Sequence, residues 1–240
     1  AGFPGAIGGN ANLRPETGET TTYGIVFSPR FVEGLTVSLD YIEIDIEDAI
    51  LEVSAQNIVN RCYDSASLDN EFCPLISRND NAASAQSGGL DFLRQVQLNF
   101  GAAVYEGFDA TVQYDFSLAD SNFAASLSWT TVETLDLIEQ GGAVDNELGE
   151  MRRPKDSALL NVAMNRGAYD VSLTTQYLSK QLLTYEDGAE IETAMDNFGP
   201  SAFTDSATFI HSIRASYTKE DFTLYGGVNN LTDESPFITE

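Results

Sequence analysis

The sequence is short of bases, histidine, cysteine and long apolar runs, and each shortage excludes something. Its 12 Lys and Arg stand against 37 Asp and Glu, for a formal charge of −25 over 240 residues. Such a chain repels a phosphate backbone, so nucleic acid is not expected as a partner. His211 is the sole histidine and Cys62 and Cys73 are the sole cysteines, spaced too widely for a CxxC motif. A zinc site is not expected from that set. A Ser-His-Asp triad would have to use His211, and no GxSxG, HExxH or GxxxxGK[ST] run is present. No catalytic residue, no cofactor site and no metal site is therefore assigned, and the protein is not expected to be an enzyme. No run approaches the 18 apolar residues of a membrane-crossing helix. That leaves membrane-crossing strands open, since their signal is far weaker. The opening "AGFPGAIGGN" has no charged n-region or apolar h-region, so the chain reads as mature or as a piece of something longer.

What the sequence does have is alternation. In "YDVSLTTQYLS" the residues Tyr169, Val171, Leu173, Thr175 and Tyr177 share one face, and Asp170, Ser172, Thr174 and Gln176 the other. Side chains of a strand alternate with period two, so this is a strand with one apolar and one polar face. The pattern recurs in "TYGIVFS", "LTVSLDY", "FDATVQYDF", "FAASLSWTT", "ALLNVAMN", "FIHSIRASY" and "FTLYGGV", about eight strands in all. Helical periodicity is confined to "SAQNIVNRC", where Ser54 can cap and Ile58, Val59 and Cys62 share a face. In "YIEIDIEDAI" the apolar residues move to Ile42, Ile44 and Ile46, which predicts a bulge near Tyr41–Ile42.

The connections alternate too. "SPRFVEG", "SLADSN", "NRGA" and "TKED" are short, whereas 47–94, 137–156 and 181–206 are long. In an up-and-down sheet this puts every short turn at one end, the habit of outer-membrane barrels. The polar rows hold Ser, Thr, Asn, Gln and Asp rather than the Lys and Glu of a water-facing sheet, with Arg214 the exception. The apolar rows carry few charges, as lipid requires. Phe27, Phe116, Phe123, Tyr169, Tyr217 and Phe222 sit beside the short turns, where an aromatic girdle belongs. The residues thus favour an all-β, antiparallel up-and-down transmembrane β-barrel portion over a soluble all-β domain. Lipid of the outer membrane would be its first partner.

Two motifs then carry a likeness. "GNANLRPETGETTTYGIVFSP" and "GVNNLTDESP" resemble segments of TonB-dependent outer-membrane receptors. "LNFGAAVYEGFDATVQYDF" resembles a strand of that family, and the run from "IDIEDAI" to "NEFCPLISRND" resembles an extracellular loop bearing a cysteine pair. The resemblance covers essentially all 240 residues. It implies a Gram-negative outer-membrane receptor that imports a scarce nutrient, a ferric siderophore or an oligosaccharide, with energy from TonB. It also implies a 22-stranded barrel around an N-terminal plug. No plug, no TonB box and no closing strand is recognised here. Residues 1–240 therefore read as part of a single barrel domain, the C-terminal third of a receptor, whose plug and TonB contact lie elsewhere. The alternatives are a passive outer-membrane pore or structural barrel, and a secreted carbohydrate-binding β-sandwich.

Some residues stand out for binding. Residues 47–94 read as a long extracellular loop with a short helix. In an oxidising compartment Cys62 and Cys73 would cross-link it, a closure worth about 3 kcal/mol in the chain-entropy model; two free thiols are the other reading. Tyr63, Phe72 and Tyr185 are loop aromatics able to stack on a sugar or a chelate, or else to pack the loop itself. Asp109, Gln113, Asp170, Gln176 and Arg214 are expected to face the lumen and touch cargo or plug. "SRNDNAAS" has oxygen ligands but no EF-hand spacing and reads as a solvated loop.

Overall fold

The computed structural model describes residues 4–83, 87–139, 144–182 and 204–235. The chain divides into two compact units. The smaller comprises 1–18, 46–102 and 139–142; the larger comprises 19–45, 103–138 and 143–240.

The main path of the sheet is built from β2 (Thr17–Phe27), β3 (Leu35–Glu52), β5 (Leu90–Leu118), β6 (Ser121–Glu139), β8 (Asp156–Arg166), β9 (Tyr169–Leu178), β12 (Thr208–Lys219) and β13 (Phe222–Val228). They lie in the order β13-β12-β9-β8-β6-β5-β3-β2, so neighbours in sequence are neighbours in the sheet. This is the up-and-down antiparallel arrangement expected, with the eight expected strands. Along this path the pairing from β6 to β13 is antiparallel throughout; off it, the short β7 (Val144–Asn146) pairs with β6, and β10 (Gln181–Leu182) with β11 (Thr204–Asp205). The register shows why the alternation matters. Phe209 lies opposite Tyr177, Tyr177 opposite Ala158 and Ala158 opposite Trp129. Ile213, Leu173, Val162 and Ala125 form a second such row, four residues along each strand. A one-residue slip would scatter these residues over both faces.

The short turns are tight. Ala119–Asp120 and Glu220–Asp221 each join two strands directly. Ala119 and Glu220 adopt left-handed backbone, each at φ 52. The strands run further than alternation suggests. β5 begins at Leu90 and β3 continues to Glu52, so the connection between them is 53–89 rather than 47–94. The left-handed residue of β3 is Asp48, φ 54, while Tyr41 keeps the aromatic face: it stacks on Tyr23 at 5.7 Å and tilts against Phe108 at 5.2 Å.

The smaller unit holds the buried core. Among the described residues, the buried hydrophobics are Ala49, Val53, Ile58, Cys62, Phe72, Leu75, Leu93, Val96 and Leu98, all within this unit. The helix α1 (Ala55–Asp64) starts where expected: the Ser54 side chain accepts a hydrogen bond from the Asn57 amide. The capping satisfies one of the free donors of the first turn. Its buried residues are Ile58 and Cys62. A Cys62–Cys73 disulfide ties the helix to a 3₁₀ turn at Cys73–Leu75. The strand β4 (Ile76–Arg78) pairs antiparallel with β5, and β1 (Gly5–Gly8) pairs with it in parallel. Both meet β5 at Leu93, which is therefore flanked on two sides.

Candidate functional site

Two surfaces carry the residues that the sequence singles out: the polar face of the larger unit and the cross-linked loop of the smaller one. On the polar face small side chains bond to one another across strands. The Thr130 hydroxyl donates to Asp109 at 2.5 Å, and Thr174 donates to Asn161 at 2.9 Å. Asp170 accepts from Asn165 at 2.8 Å and from Ser216 at 3.4 Å. Among the described residues no buried side-chain polar atom lacks a partner. Gln113, Gln176 and Arg214 are exposed there, as is Asp170. Gln176 sits between Leu159 and Ile210, an apolar spot in a polar wall that alternation alone does not foresee.

Toward the short turns the same face lines a cavity of 1460 Å³. Asp170, Arg214, Asp115, Asn122, Phe31 and Tyr225 are among its walls. Of the five wall residues singled out, the structure brings Asp170 and Arg214 to this one cavity and leaves Asp109, Gln113 and Gln176 outside its lining.

The opposite face is apolar and aromatic. Phe116 stacks on Phe123 at 4.9 Å and Tyr169 tilts against Tyr217 at 4.9 Å, beside the short turns. A second row, unforeseen from the sequence as a girdle, lies toward the long connections: Trp129 contacts Tyr177 at 5.8 Å and Tyr177 contacts Phe209 at 4.9 Å. From Tyr169 to Tyr177 is eight residue steps, about 26 Å along the strand. Tilted by about 40°, that covers about 20 Å, close to the apolar band between two interfacial girdles. His211 lies on this face, with Nδ1 2.9 Å from the Thr175 hydroxyl and its ring stacked on Phe209. Its partners are a hydroxyl and an aromatic ring, consistent with an interfacial residue.

In the cross-linked loop Phe72 is 5% exposed and belongs to the core, so its ring packs the loop and presents no face to a cargo. Tyr63 is half-exposed; its hydroxyl accepts from Arg78 Nε at 2.7 Å, and the guanidinium lies 4.7 Å from the ring centre. Tyr185 lies outside the described residues. The organiser of the loop is Asn70, which the sequence reading passes over. Its Oδ1 accepts from the Phe72 and Cys73 amides at 2.9 and 3.0 Å. Its Nδ2 donates to Ser65 Oγ at 2.7 Å and to the Ser67 carbonyl at 2.8 Å. An Asn side chain bonded to amides two and three residues on is a short-range turn device. In "SRNDNAAS" Asn79 and Asn81 spend their side-chain oxygens on backbone amides in the same way.

Comparison with known proteins agrees with this geometry. The family model "TonB dependent receptor-like, beta-barrel" matches residues 1–231. No curated protein matches at the sequence level. Among solved structures, the ferric enterobactin receptor of Pseudomonas aeruginosa aligns at 17% identity with a TM-score of 0.59, over 94% of this chain and 27% of the receptor. The siderophore receptor PirA from Acinetobacter baumannii aligns at 17% identity and TM-score 0.56, over 95% and 29%. The ferripyoverdine receptor of the Pseudomonas aeruginosa outer membrane gives 16%, 0.54, 92% and 24%. The chain thus spans about a quarter of the length of the receptors it resembles, and the likeness at this identity is one of fold.

Proposed function

The chain belongs to the TonB-dependent receptor β-barrel family, and we propose from that membership that the whole protein is a Gram-negative outer-membrane receptor importing a scarce nutrient. The cargo class is a ferric siderophore, with an oligosaccharide second, and TonB supplies the energy through a segment outside these 240 residues. The plug is likewise outside them. The siderophore is placed first because the solved receptors of like fold are named for ferric chelates.

One observation carries the membrane reading. The apolar face of the larger unit has no protein layer over it among the described residues: Leu173 is 36% exposed, Ile213 37% and Leu224 62%. A secreted sandwich would enclose these side chains between two sheets. Here hydrocarbon is the medium that satisfies them, with aromatic contacts at both margins of the band. Residues 53–89, tied by the disulfide and packed with β5 around one core, form a pre-organised extracellular cap, and pre-organisation lowers the ordering cost of holding a cargo. Among the described loop aromatics singled out, Tyr63 is exposed enough to touch it.

The test is growth of cells carrying the full-length receptor under iron limitation, with single ferric siderophores supplied. The expected result is growth that requires both the receptor and TonB. Growth on an oligosaccharide as sole carbon source, dependent on the receptor, would move the cargo to the second class. Uptake that persists without TonB would establish a passive pore instead.

A further inference from the structure

We propose that the cargo carries no net negative charge: for iron, a neutral or cationic hydroxamate chelate rather than a tricatecholate, which is a trianion. The proposal rests on the receptor reading above and adds to it the charge class of the cargo.

Acids outnumber bases in each unit. The smaller unit holds 10 acids against 4 bases, and the larger 27 against 8. The bases, moreover, are spent within the protein. In the smaller unit Arg14 pairs with Asp48 at 2.8 Å. Arg78 Nε donates to the Tyr63 hydroxyl at 2.7 Å, and a second N–H of the same guanidinium donates to the Gly88 carbonyl. In the larger unit Arg153 is held by Glu147 and, at 3.1 Å, by Glu150, while Lys155 lies 3.3 Å from Glu133. Arg214 shares its cavity with Glu33, Asp115 and Asp170. Capture of an anionic chelate takes cations with N–H donors to spare. The donors of Arg14, Arg78, Arg153 and Lys155 are turned to groups of the protein itself.

Carboxylates are what the cap leaves facing water. Asp64, Asp69, Glu71 and Asp80 are exposed, and among the described residues no ion pair engages them. The stretch between Cys62 and Cys73 includes three of these acids and no base. The disulfide closes that stretch into one loop, so its like charges are held together on one scaffold. Asp64 directly follows Tyr63, the ring proposed above to touch cargo. A surface of one sign raises the association rate of oppositely charged ligands by roughly 10–1,000-fold and turns away those of its own sign.

The experiment uses full-length receptor in native outer membranes and chelates that differ in charge alone. Ferrioxamine B is a cation by its pendant ammonium, its N-acetyl derivative is neutral and its N-succinyl derivative is an anion; the iron core is the same in all three. Binding of radioiron is expected to fall several-fold at each step in low salt, and the spread to narrow as added salt screens the acids. A ferric tricatecholate is expected to bind least. Asp64→Asn, Asp69→Asn and Glu71→Gln combined are expected to remove most of the spread, whereas Asp64→Glu, Asp69→Glu and Glu71→Asp combined keep it. Equal binding of the three hydroxamates, tighter binding of the anion or of the tricatecholate, binding of none of them, or a spread that the neutral variant leaves intact overturns the proposal. Growth under iron limitation separates the two readings. TonB-dependent growth on a tricatecholate and on no hydroxamate removes the charge class alone, whereas growth on no ferric chelate removes the siderophore reading and the charge class together.

Discussion

Single residues set the turns and the loop, and three of them make opposite demands. Ala119 sits at φ 52 in a two-residue hairpin, a conformation that costs a residue with a Cβ about 1–2 kcal/mol. Ala119→Gly is expected to stabilise the full-length receptor by about 1 kcal/mol, less the extra chain entropy of glycine. A raised urea midpoint in detergent micelles would register it, and a lowered midpoint would contradict it. Gly34 shows the reverse. At φ 82 its missing side chain leaves room for the Asp115 carbonyl, which a Cβ would strike, and its own carbonyl accepts from the Asp115 amide at 3.0 Å. Asn70 works by hydrogen bonds instead. Asn70→Ala removes two acceptances and three donations that shape the 62–73 loop, each worth about 1 kcal/mol. Faster proteolysis of residues 53–89, with the disulfide still formed, is the expected outcome; unchanged protection would show the cross-link to suffice.

Individual strands show how much the sequence discloses. Where a strand crosses the apolar band its two faces meet different media, so period two is imprinted and the eight strands of the path are legible residue by residue. Above the band that contrast ends. In β5 the buried hydrophobic residues, among those described, are Leu93, Val96 and Leu98, spaced three and then two apart. This broken period conceals a strand that begins at Leu90. The helix was legible because Ser54 and an Ile58–Cys62 face are local signals. The work of Asn70 and the placing of Phe72 in the core depend on contacts across the loop, which no window of sequence contains. The same two-media argument gives a prediction. Leu173 lies midway between Tyr169 and Tyr177 on the apolar face, whereas Gln113 is exposed on the polar face of β5. Leu173→Arg is expected to cost about 2–4 kcal/mol, as a charge at the bilayer midplane does, while Gln113→Arg costs far less. Unfolding of full-length receptor in lipid vesicles measures both. Equal costs would mean that the apolar face does not meet hydrocarbon.

At the scale of the whole molecule, the two units are stabilised by different solvents. The larger unit has no buried hydrophobic cluster among its described residues and, on the receptor reading proposed above, depends on strand pairing and on lipid around its apolar face. The smaller unit is stabilised as a water-soluble protein is, by a cluster around Ile58, which is 0% exposed, and by its disulfide. Damage to one should therefore leave the other standing. Ile58→Ala opens a cavity in that cluster and is expected to cost about 2–5 kcal/mol, much of the stability available to so small a core. Lipid-facing strands lose nothing by it. Intact cells carrying the Ile58→Ala receptor should keep the normal amount of protein in the outer membrane, with the cap cleaved by added protease between residues 53 and 89. Cargo binding should weaken in step with that cleavage. Loss of the receptor from the membrane would show instead that the cap is needed for assembly, and unaltered binding would show that cargo is held by the wall.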